Sequence, residues 1–324
     1  MPENEVSTPA TPPTADGIVI RSTGSWYDVR TPAGVVPAKM RGKFRLRQGA
    51  TTNPVAVGDN VSLRLNADET GLITEIHPRR NKLSRRAAGR RVGKEHVIVS
   101  NIDAALVMQS VELPKPNPGF VDRFLVMATY HDLEAGIILN KTDLQNENNR
   151  GNVAYFKDIY QDLGYSIFLV SAKSGEGMDA LREFLNGKVS VIAGPSGAGK
   201  STLLNALEPD LDLPTGEVSL KTKKGRHTTT NAALFPINAT SYVADTPGIR
   251  EYGLFGITAE DLGHYYPEFE PYLNQCKFPN CMHDHEPACA VKDAVEQDEI
   301  HPTRFHNYLS ILDSLYLGEK DVGR

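Results

Sequence analysis

The stretch of sequence that decides the fold is Gly194-Pro195-Ser196-Gly197-Ala198-Gly199-Lys200-Ser201, a glycine followed by four residues and then Gly-Lys-Ser. The apolar residues 189–193 before it predict a buried strand, and Thr202 after it begins a predicted helix. In this context, backbone N–H groups and a helix N-terminus wrap a phosphate group. We therefore predict a phosphate loop in which Lys200 reaches the β- and γ-phosphates and the Ser201 hydroxyl ligates Mg²⁺.

Composition limits the remaining possibilities. The chain has 324 residues, 40% of them hydrophobic, which is enough for two or three domains with buried cores. No apolar run is long enough to span a bilayer, so we predict no membrane contact. Residues 1–16 contain Pro, Thr and Ser without a basic residue or an apolar core, which predicts a disordered tail. The 3 cysteines are clustered, which favours a metal site in a reducing cytoplasm over disulfide bonds.

The N-terminal part of the chain is basic and rich in short strands. Residues 17–100 carry 16 Lys and Arg against 6 Asp and Glu, whereas residues 101–324 have an excess of 12 acidic residues. Alternating segments predict strands at residues 17–21, 26–30, 43–47, 60–65 and 71–76, which favours an OB-fold barrel. Residues 79–94 add 8 basic residues and no acidic one. This charge predicts binding to a nucleic-acid backbone, with a solvated linker as the alternative.

From residue 102 the pattern alternates between strands and helices. The predicted strands cover residues 104–108, 135–139 and 166–170, and the predicted helices cover residues 119–131, 153–163 and 178–185. Together with the phosphate-loop unit, this alternation predicts a doubly wound parallel sheet. In such sheets, ligands bind at the carboxyl ends of the strands.

Two of these strand ends carry motifs that suit guanine. Asn140-Lys141-Thr142-Asp143 follows the second strand. The Asp143 carboxylate can accept hydrogen bonds from N1–H and the exocyclic amine of guanine, a donor pair that adenine lacks. Asn140 can hold the base and the neighbouring loop, and the Lys141 stem can cover the base. Ser171-Ala172-Lys173 follows the third strand and offers a backbone N–H to the guanine carbonyl oxygen.

The segments after the phosphate loop supply further candidates for contact with phosphate and metal. Residues 220–231 are polar and basic and predict a mobile loop, in which a threonine can complete the Mg²⁺ shell when the γ-phosphate is present. A strand predicted at residues 241–244 leads to Asp245-Thr246-Pro247-Gly248. There, Asp245 can hold a Mg²⁺-bound water, and the Gly248 N–H can sense the γ-phosphate.

The cysteines form a metal-binding pattern near the C-terminus. The pattern consists of Cys276, Cys281, His283 and Cys289. Three thiolates and one imidazole suit a closed tetrahedral Zn²⁺ site. His285 is an alternative nitrogen ligand. Residues 302–317 then predict an amphipathic helix.

These motifs resemble the guanine-nucleotide motifs of the GTPase superfamily, but in a permuted order, with the base-reading motifs before the phosphate loop. With a barrel before them and a Cys/His cluster after them, the chain resembles the small-ribosomal-subunit-dependent GTPase A family, also called RsgA or YjeQ. Residues 225–230, residues 245–251 and the metal pattern carry the resemblance most specifically. It implies an OB-fold with its basic linker at residues 17–98, a circularly permuted P-loop GTPase domain at residues 99–252 and a mostly helical zinc-binding domain at residues 253–324.

The resemblance also implies an activity. It implies hydrolysis of GTP to GDP and phosphate during late maturation of the 30S ribosomal subunit, with binding to its rRNA and stimulation by the subunit, by a monomer in the cytoplasm. Ile249 stands where many GTPases keep a water-positioning glutamine, so we expect slow intrinsic hydrolysis. His227, in the family's threonine-loop motif, is the replacement candidate, with Thr229 and Lys200 completing the catalytic set. The family pattern favours His283 over His285.

The sequence is also compatible with two other functions. One is a non-catalytic RNA-binding adaptor whose GTP state only sets its affinity, and the other is a GTPase that acts on another RNA or on DNA.

The residues assigned to nucleotide and Mg²⁺ are Asn140, Lys141, Asp143, Ser171, Ala172, Lys173, Gly194, Pro195, Ser196, Gly197, Ala198, Gly199, Lys200, Ser201, Thr202, Asp245 and Gly248.

Overall fold

The computed structural model describes residues 13–42, 53–86, 95–214, 232–245, 254 and 256–316. A sheet of 11 strands runs through it, in which a closed N-terminal barrel joins the sheet of an α/β domain. Among the described helices, none has the length and apolar character needed to cross a membrane. The strand predicted at residues 43–47 and the whole loop predicted at residues 220–231 lie outside the described residues.

Five strands close the barrel. They are β1 (Thr14–Thr23), β2 (Trp26–Thr31), β3 (Gly34–Met40), β4 (Asn60–Leu65) and β5 (Gly71–Ile76). They pair in the order β1-β2-β3-β5-β4, and β4 returns to β1. The β3–β5 pair is parallel and the others are antiparallel. Because alternate residues point inwards, Val19, Val29 and Leu63 are fully buried. The predicted OB-like barrel is confirmed.

Two features of the barrel differ from the sequence-based prediction. β1 begins at Thr14, so residues 14–16, which the sequence assigns to the disordered tail, pair with residues 62–64 of β4. The sequence also predicts no strand at β3, because Gly34 and Pro37 favour turns. β3 forms nevertheless, since its pairing with β2 extends over all of residues 34–39.

The basic segment at residues 79–94 begins as part of a hairpin instead of a flexible linker. β6 (Lys82–Arg86) pairs with β7 (Glu95–Ser100), and β7 crosses the domain boundary predicted at residue 98. Three of its basic residues form ion pairs, Arg79–Asp59 at 2.6 Å, Arg80–Asp103 at 2.7 Å and Lys82–Glu95 at 2.7 Å. The absence of acidic residues within the segment therefore does not leave its basic residues unpaired, because the counter-charges of these three come from other parts of the chain.

The central domain is a parallel sheet with one antiparallel edge. Its strands are β8 (Ala104–Ser110), β9 (Glu134–Asn140), β10 (Ser166–Leu169), β11 (Val189–Ala193), β12 (Ala233–Pro236) and β13 (Tyr242–Asp245), in the order β10-β9-β8-β11-β13-β12. The first five in this order are parallel, and β12 is antiparallel to β13. The predicted doubly wound sheet is confirmed, and the edge strand β12 also meets the barrel, where Ala233 pairs with Arg21 of β1.

Helices cover both faces of this sheet. Those used below are α1 (Pro118–Tyr130), α2 (Arg150–Tyr160), α3 (Met178–Leu185), α4 (Lys200–Leu207), α5 (Ala290–Glu296) and α6 (Pro302–Tyr316). Successive residues of β8 face opposite cores: Val107 packs in the core that contains α1 and α6, and Leu106 packs in the core that contains α3 and α4. The C-terminal region thus shares a core with one face of the sheet.

A buried ion network joins the central domain to the C-terminal region. Arg304 of α6 lies 2.5 Å from Asp122 of α1 and 2.6 Å from Glu268, and its side chain is 1% exposed. Tyr160 and Asn307 also donate hydrogen bonds to Asp122. Burial opposes the charged form of Arg304, but the two carboxylates outweigh it and raise the pKa of Arg304 above its ordinary value. The guanidinium therefore stays charged inside the protein.

We predict that Arg304→Ala lowers the free energy of unfolding by about 3–5 kcal/mol, because it leaves two buried carboxylates without a counter-charge. Urea denaturation followed by circular dichroism measures the change. Arg182→Ala is the control, since its pair with Asp179 is exposed and is expected to contribute less than about 1 kcal/mol. Equal losses in the two variants would contradict the importance of the buried network.

Candidate nucleotide and metal sites

The phosphate loop lies between β11 and α4, as the sequence predicts. Gly197 and Gly199 have φ angles of +84° and +97°, in the left-handed region that glycine adopts without strain. A Cβ added to Gly194 would lie 2.6 Å from the carbonyl oxygen of Met108, so no larger residue fits there. α4 begins at Lys200, and its first turn therefore directs backbone N–H groups towards the loop.

Asn140 connects three loops of the predicted nucleotide site. It ends β9 and is 2% exposed. Its Nδ2 donates to the carbonyl oxygen of Ala198 in the phosphate loop at 2.9 Å, and its Oδ1 accepts from the backbone N–H of Ala172 at 3.0 Å. The N–H of Ala172 is thus used within the protein, and the exposed Lys173 follows it at the edge of the site. One side chain therefore holds both base-reading loops against the phosphate loop.

Asp143 is held with its carboxylate accessible from solvent. It lies in the short 3-10 turn Thr142–Leu144, and the hydroxyl of Ser171 donates to its Oδ1 at 2.7 Å. This contact orients the carboxylate while leaving its other oxygen available to a base. The two motifs predicted to read guanine are therefore in direct contact.

Lys141 makes a contact that the sequence does not indicate. Its φ angle of +65° is left-handed, and its ammonium donates to the carbonyl oxygen of Leu113 in the segment between β8 and α1. Burial lowers the pKa of Lys141, and the nearby Asp143 carboxylate opposes this shift. The sequence around Leu113 has the prolines of an ordinary loop, so no local signal identifies this contact.

Several predicted residues lie at or beyond the limit of the described structure. Asp245 ends β13, which runs parallel to β11, so its backbone lies at the same edge of the sheet as the phosphate loop; its side chain is outside the described part. His227, Thr229 and Gly248 also lie outside it. Their assigned roles therefore stay predictions.

The four predicted metal ligands come together in the C-terminal region. The ligand atoms of Cys276, Cys281, His283 and Cys289 all lie within 4.8 Å of one another. The Sγ atoms of Cys276 and Cys289 are 3.9 Å apart, and Nδ1 of His283 lies 3.5 Å and 3.3 Å from them. A tetrahedron with Zn–S bonds of about 2.3 Å has edges of about 3.8 Å. These residues therefore fit a Zn²⁺ ion.

Burial explains which histidine belongs to this cluster. His283 is 4% exposed, and burial lowers its pKa, which favours the neutral imidazole that a metal requires. The side chain of His285 is 82% exposed and contacts Asp284. Burial raises the pKa of Cys281 to about 12 in the absence of a cation, so binding of a metal must displace its proton.

These elements define the class of the protein. The loops that contain Asn140 and Ser171 precede the phosphate loop in the chain. In space, Asn140 contacts the phosphate loop and connects the Ser171 loop to it, as in a GTPase whose sequence has been circularly permuted.

Comparison with known proteins agrees with this class. A family model described as RsgA GTPase matches residues 76–255, and one described as RsgA N-terminal domain matches residues 16–73. The small ribosomal subunit biogenesis GTPase RsgA of Bacteroides fragilis is 42% identical over 299 residues, covering 92% of this chain and 96% of the relative. The Gemmatimonas aurantiaca relative with the same name is 42% identical over 302 residues, covering 92% and 97%. The chain belongs to the RsgA GTPase family.

Solved structures also match over nearly the whole chain. YjeQ from Thermotoga maritima matches with a TM-score of 0.77 and 34% identity, covering 95% of this chain and 100% of that chain. YloQ, described as a circularly permuted GTPase, matches with a TM-score of 0.72 and 27% identity, covering 96% and 98%.

We predict that Asp143→Asn weakens GDP binding by about 10- to 100-fold, because a charged acceptor of two guanine donors is lost. The same variant should gain affinity for xanthosine diphosphate, whose altered edge complements an amide. Isothermal titration calorimetry with both nucleotides measures the two affinities. Asp179→Asn, on the exposed surface of α3, is the control. Unchanged GDP affinity in Asp143→Asn would remove the base-reading assignment.

We predict about one Zn²⁺ per chain in the native protein, loss of this metal in His283→Ala and its retention in His285→Ala. Elemental analysis of the purified variants measures the metal content. Cys281→Ser should also lose the metal, while GDP binding should largely persist, because the cluster contacts none of the described nucleotide loops directly. Full zinc content in His283→Ala would assign the nitrogen ligand elsewhere.

Proposed function

We propose that this chain hydrolyses GTP to GDP and phosphate on the small (30S) ribosomal subunit during late maturation of that subunit. The observation that carries the proposal is the contact of Asn140 with both the phosphate loop and the Ser171-Ala172-Lys173 loop, which builds a guanine-nucleotide site. The relatives named small ribosomal subunit biogenesis GTPases connect such a site to the ribosome.

We assign each step of binding and hydrolysis to particular residues. Lys200, Ser201 and the loop amides bind the phosphates and Mg²⁺, and Asp143 selects guanine. Thr229 and Asp245 complete the Mg²⁺ shell, and the Gly248 N–H senses the γ-phosphate. His227 orients the attacking water, since Ile249 cannot accept a hydrogen bond from it.

The barrel is the part we assign to rRNA. Trp26 is 37% exposed, and Nζ of Lys39 lies 4.3 Å from the centre of its ring. An aromatic face beside a cation suits stacking on an unpaired base next to a backbone phosphate. Arg79, Arg80 and Lys82 are used in ion pairs within the protein, so the first part of the basic segment is a poorer candidate than the barrel wall.

The remaining properties follow from the same assignment. We propose that the Cys/His cluster holds one structural Zn²⁺ per chain and that the protein works as a monomer. Its thiolate ligands are compatible with a reducing cytoplasm.

We predict that the free chain turns GTP over slowly, that 30S subunits accelerate it, and that His227→Ala lowers the stimulated rate by on the order of 10²-fold. GTP affinity should barely change, because the histidine makes its contact with water in the transition state. Single-turnover hydrolysis with 30S, with 50S and without particles measures these rates.

The control for this experiment is His306→Ala, which removes an exposed histidine of α6 and should leave the stimulated rate unchanged. Stimulation by 50S equal to that by 30S would contradict the assigned partner. Nucleotide-dependent binding to 30S without hydrolysis would indicate a GTP-switched adaptor instead.

A further inference from the structure

A buried asparagine outside the sequence motifs connects the two segments that surround the predicted guanine site. Asn149 lies directly before α2 and is 4% exposed. The first segment is the turn Thr142–Leu144, which carries Asp143. The second is the β8–α1 segment, residues 111–117, which follows β8.

The side chain of Asn149 forms hydrogen bonds with the backbone at the C-terminal side of this turn. Its Nδ2 donates to the carbonyl oxygen of Leu144 at 2.9 Å, and its Oδ1 accepts from the backbone N–H of Asn146 at 2.7 Å. Both partners are backbone groups that lie one and three positions after Asp143. Asn149 therefore limits where the turn can lie, and Ser171 orients the carboxylate within it.

The same amide holds the β8–α1 segment. Nδ2 of Asn149 also donates to Oε2 of Glu112 at 2.5 Å, and Asn152 of α2 donates to the carbonyl oxygen of Val111 at 2.8 Å. The next residue after Glu112 is Leu113, whose carbonyl oxygen accepts from the Lys141 ammonium. Lys141 therefore binds a segment whose position is fixed by α2.

We propose that Asn149 is a positioning residue for guanine recognition. Its buried amide fixes the position of Asp143, at the edge of the base, relative to that of Lys141, over the face of the base. This inference rests on the guanine site proposed above and extends it beyond the sequence motifs. A primary amide suits the position, because it donates to a carboxylate and a carbonyl group and accepts from an N–H at the same time. Asn149→Ala removes the three hydrogen bonds through which one side chain connects the two segments, which frees both segments to move.

The experiment compares GDP with inosine diphosphate, which lacks the exocyclic amine that Asp143 is expected to read. In the native chain the ratio of the two dissociation constants measures that contact. We expect Asn149→Ala to reduce this preference for GDP by about 3- to 10-fold. The matched control is Asn148→Ala, since Asn148 is the adjacent asparagine and is exposed, and it should keep the native ratio.

Glu112→Ala tests the same connection from the other side. It should reduce the preference for GDP in the same direction, and in the Asn149→Ala background it should add little further loss, because the two residues share one contact. If Asn149→Ala does not fold, the ratio in Glu112→Ala decides the question. Equal weakening of both nucleotides in these variants would show a merely structural role and overturn the proposal.

The native chain separates this inference from the function on which it rests. If the native protein bound ADP as tightly as GDP, the guanine site itself would be wrong, and the role of Asn149 with it. If the native protein prefers GDP and the Asn149→Ala ratio is native, only the role of Asn149 is wrong.

Discussion

The nucleotide site depends on the two hydrogen bonds made by the buried side chain of Asn140. The base-reading loops and the phosphate loop are separate segments of the chain, and no direct covalent connection fixes their relative positions. Asn140 replaces such a connection with contacts to Ala198 and Ala172. The close approach also explains Gly199, where an added Cβ would lie 2.5 Å from Nδ2 of Asn140. The same glycine that permits the left-handed backbone thus permits the contact between loops.

The buried network around Arg304 likewise connects distant parts of the chain, here the central domain and the C-terminal region. After β13, which ends at Asp245, the chain leaves the sheet and enters the C-terminal region. Arg304 and Asn307 bring that region back onto Asp122 of α1, and Tyr160 of α2 completes the set. Since α1 directly follows the β8–α1 segment beside Lys141, the C-terminal region is attached to the side of the sheet that carries the base-reading loops. The C-terminal region, which contains the Cys/His cluster, is thus attached to the central domain by a buried ion network.

The sequence predicted those features that depend on local chemistry. The phosphate loop, the two base-reading loops and the metal pattern are short motifs, and the phosphate loop and the base-reading loops each follow an apolar run that forms a strand. The strand β3 was missed because Pro37 has no N–H, a local rule that pairing with two neighbouring strands overrides. The Arg79–Asp59 pair was missed because its partners are 20 residues apart in the chain.

Burial distinguishes His283 from His285 as the nitrogen ligand of the metal cluster, and the role assigned to Asn149 also depends on burial. The spacing of residues in the sequence does not reveal which side chains are buried.

The pairing of β1 with β12 places the barrel at the edge of the GTPase sheet. An unpaired edge strand is a natural site for addition of another strand, and here the barrel occupies it. β12 begins at Ala233, directly after the polar segment that contains His227 and Thr229. The residue that pairs with the barrel is therefore the first residue of β12, three positions after the Thr228-Thr229-Thr230 run. If the barrel holds rRNA as proposed, the backbone at one end of the segment that contains His227 and Thr229 is attached to the domain that contacts the ribosome. Under the proposed function, this strand pairing is a route by which a ribosomal contact acts on the segment that contains His227.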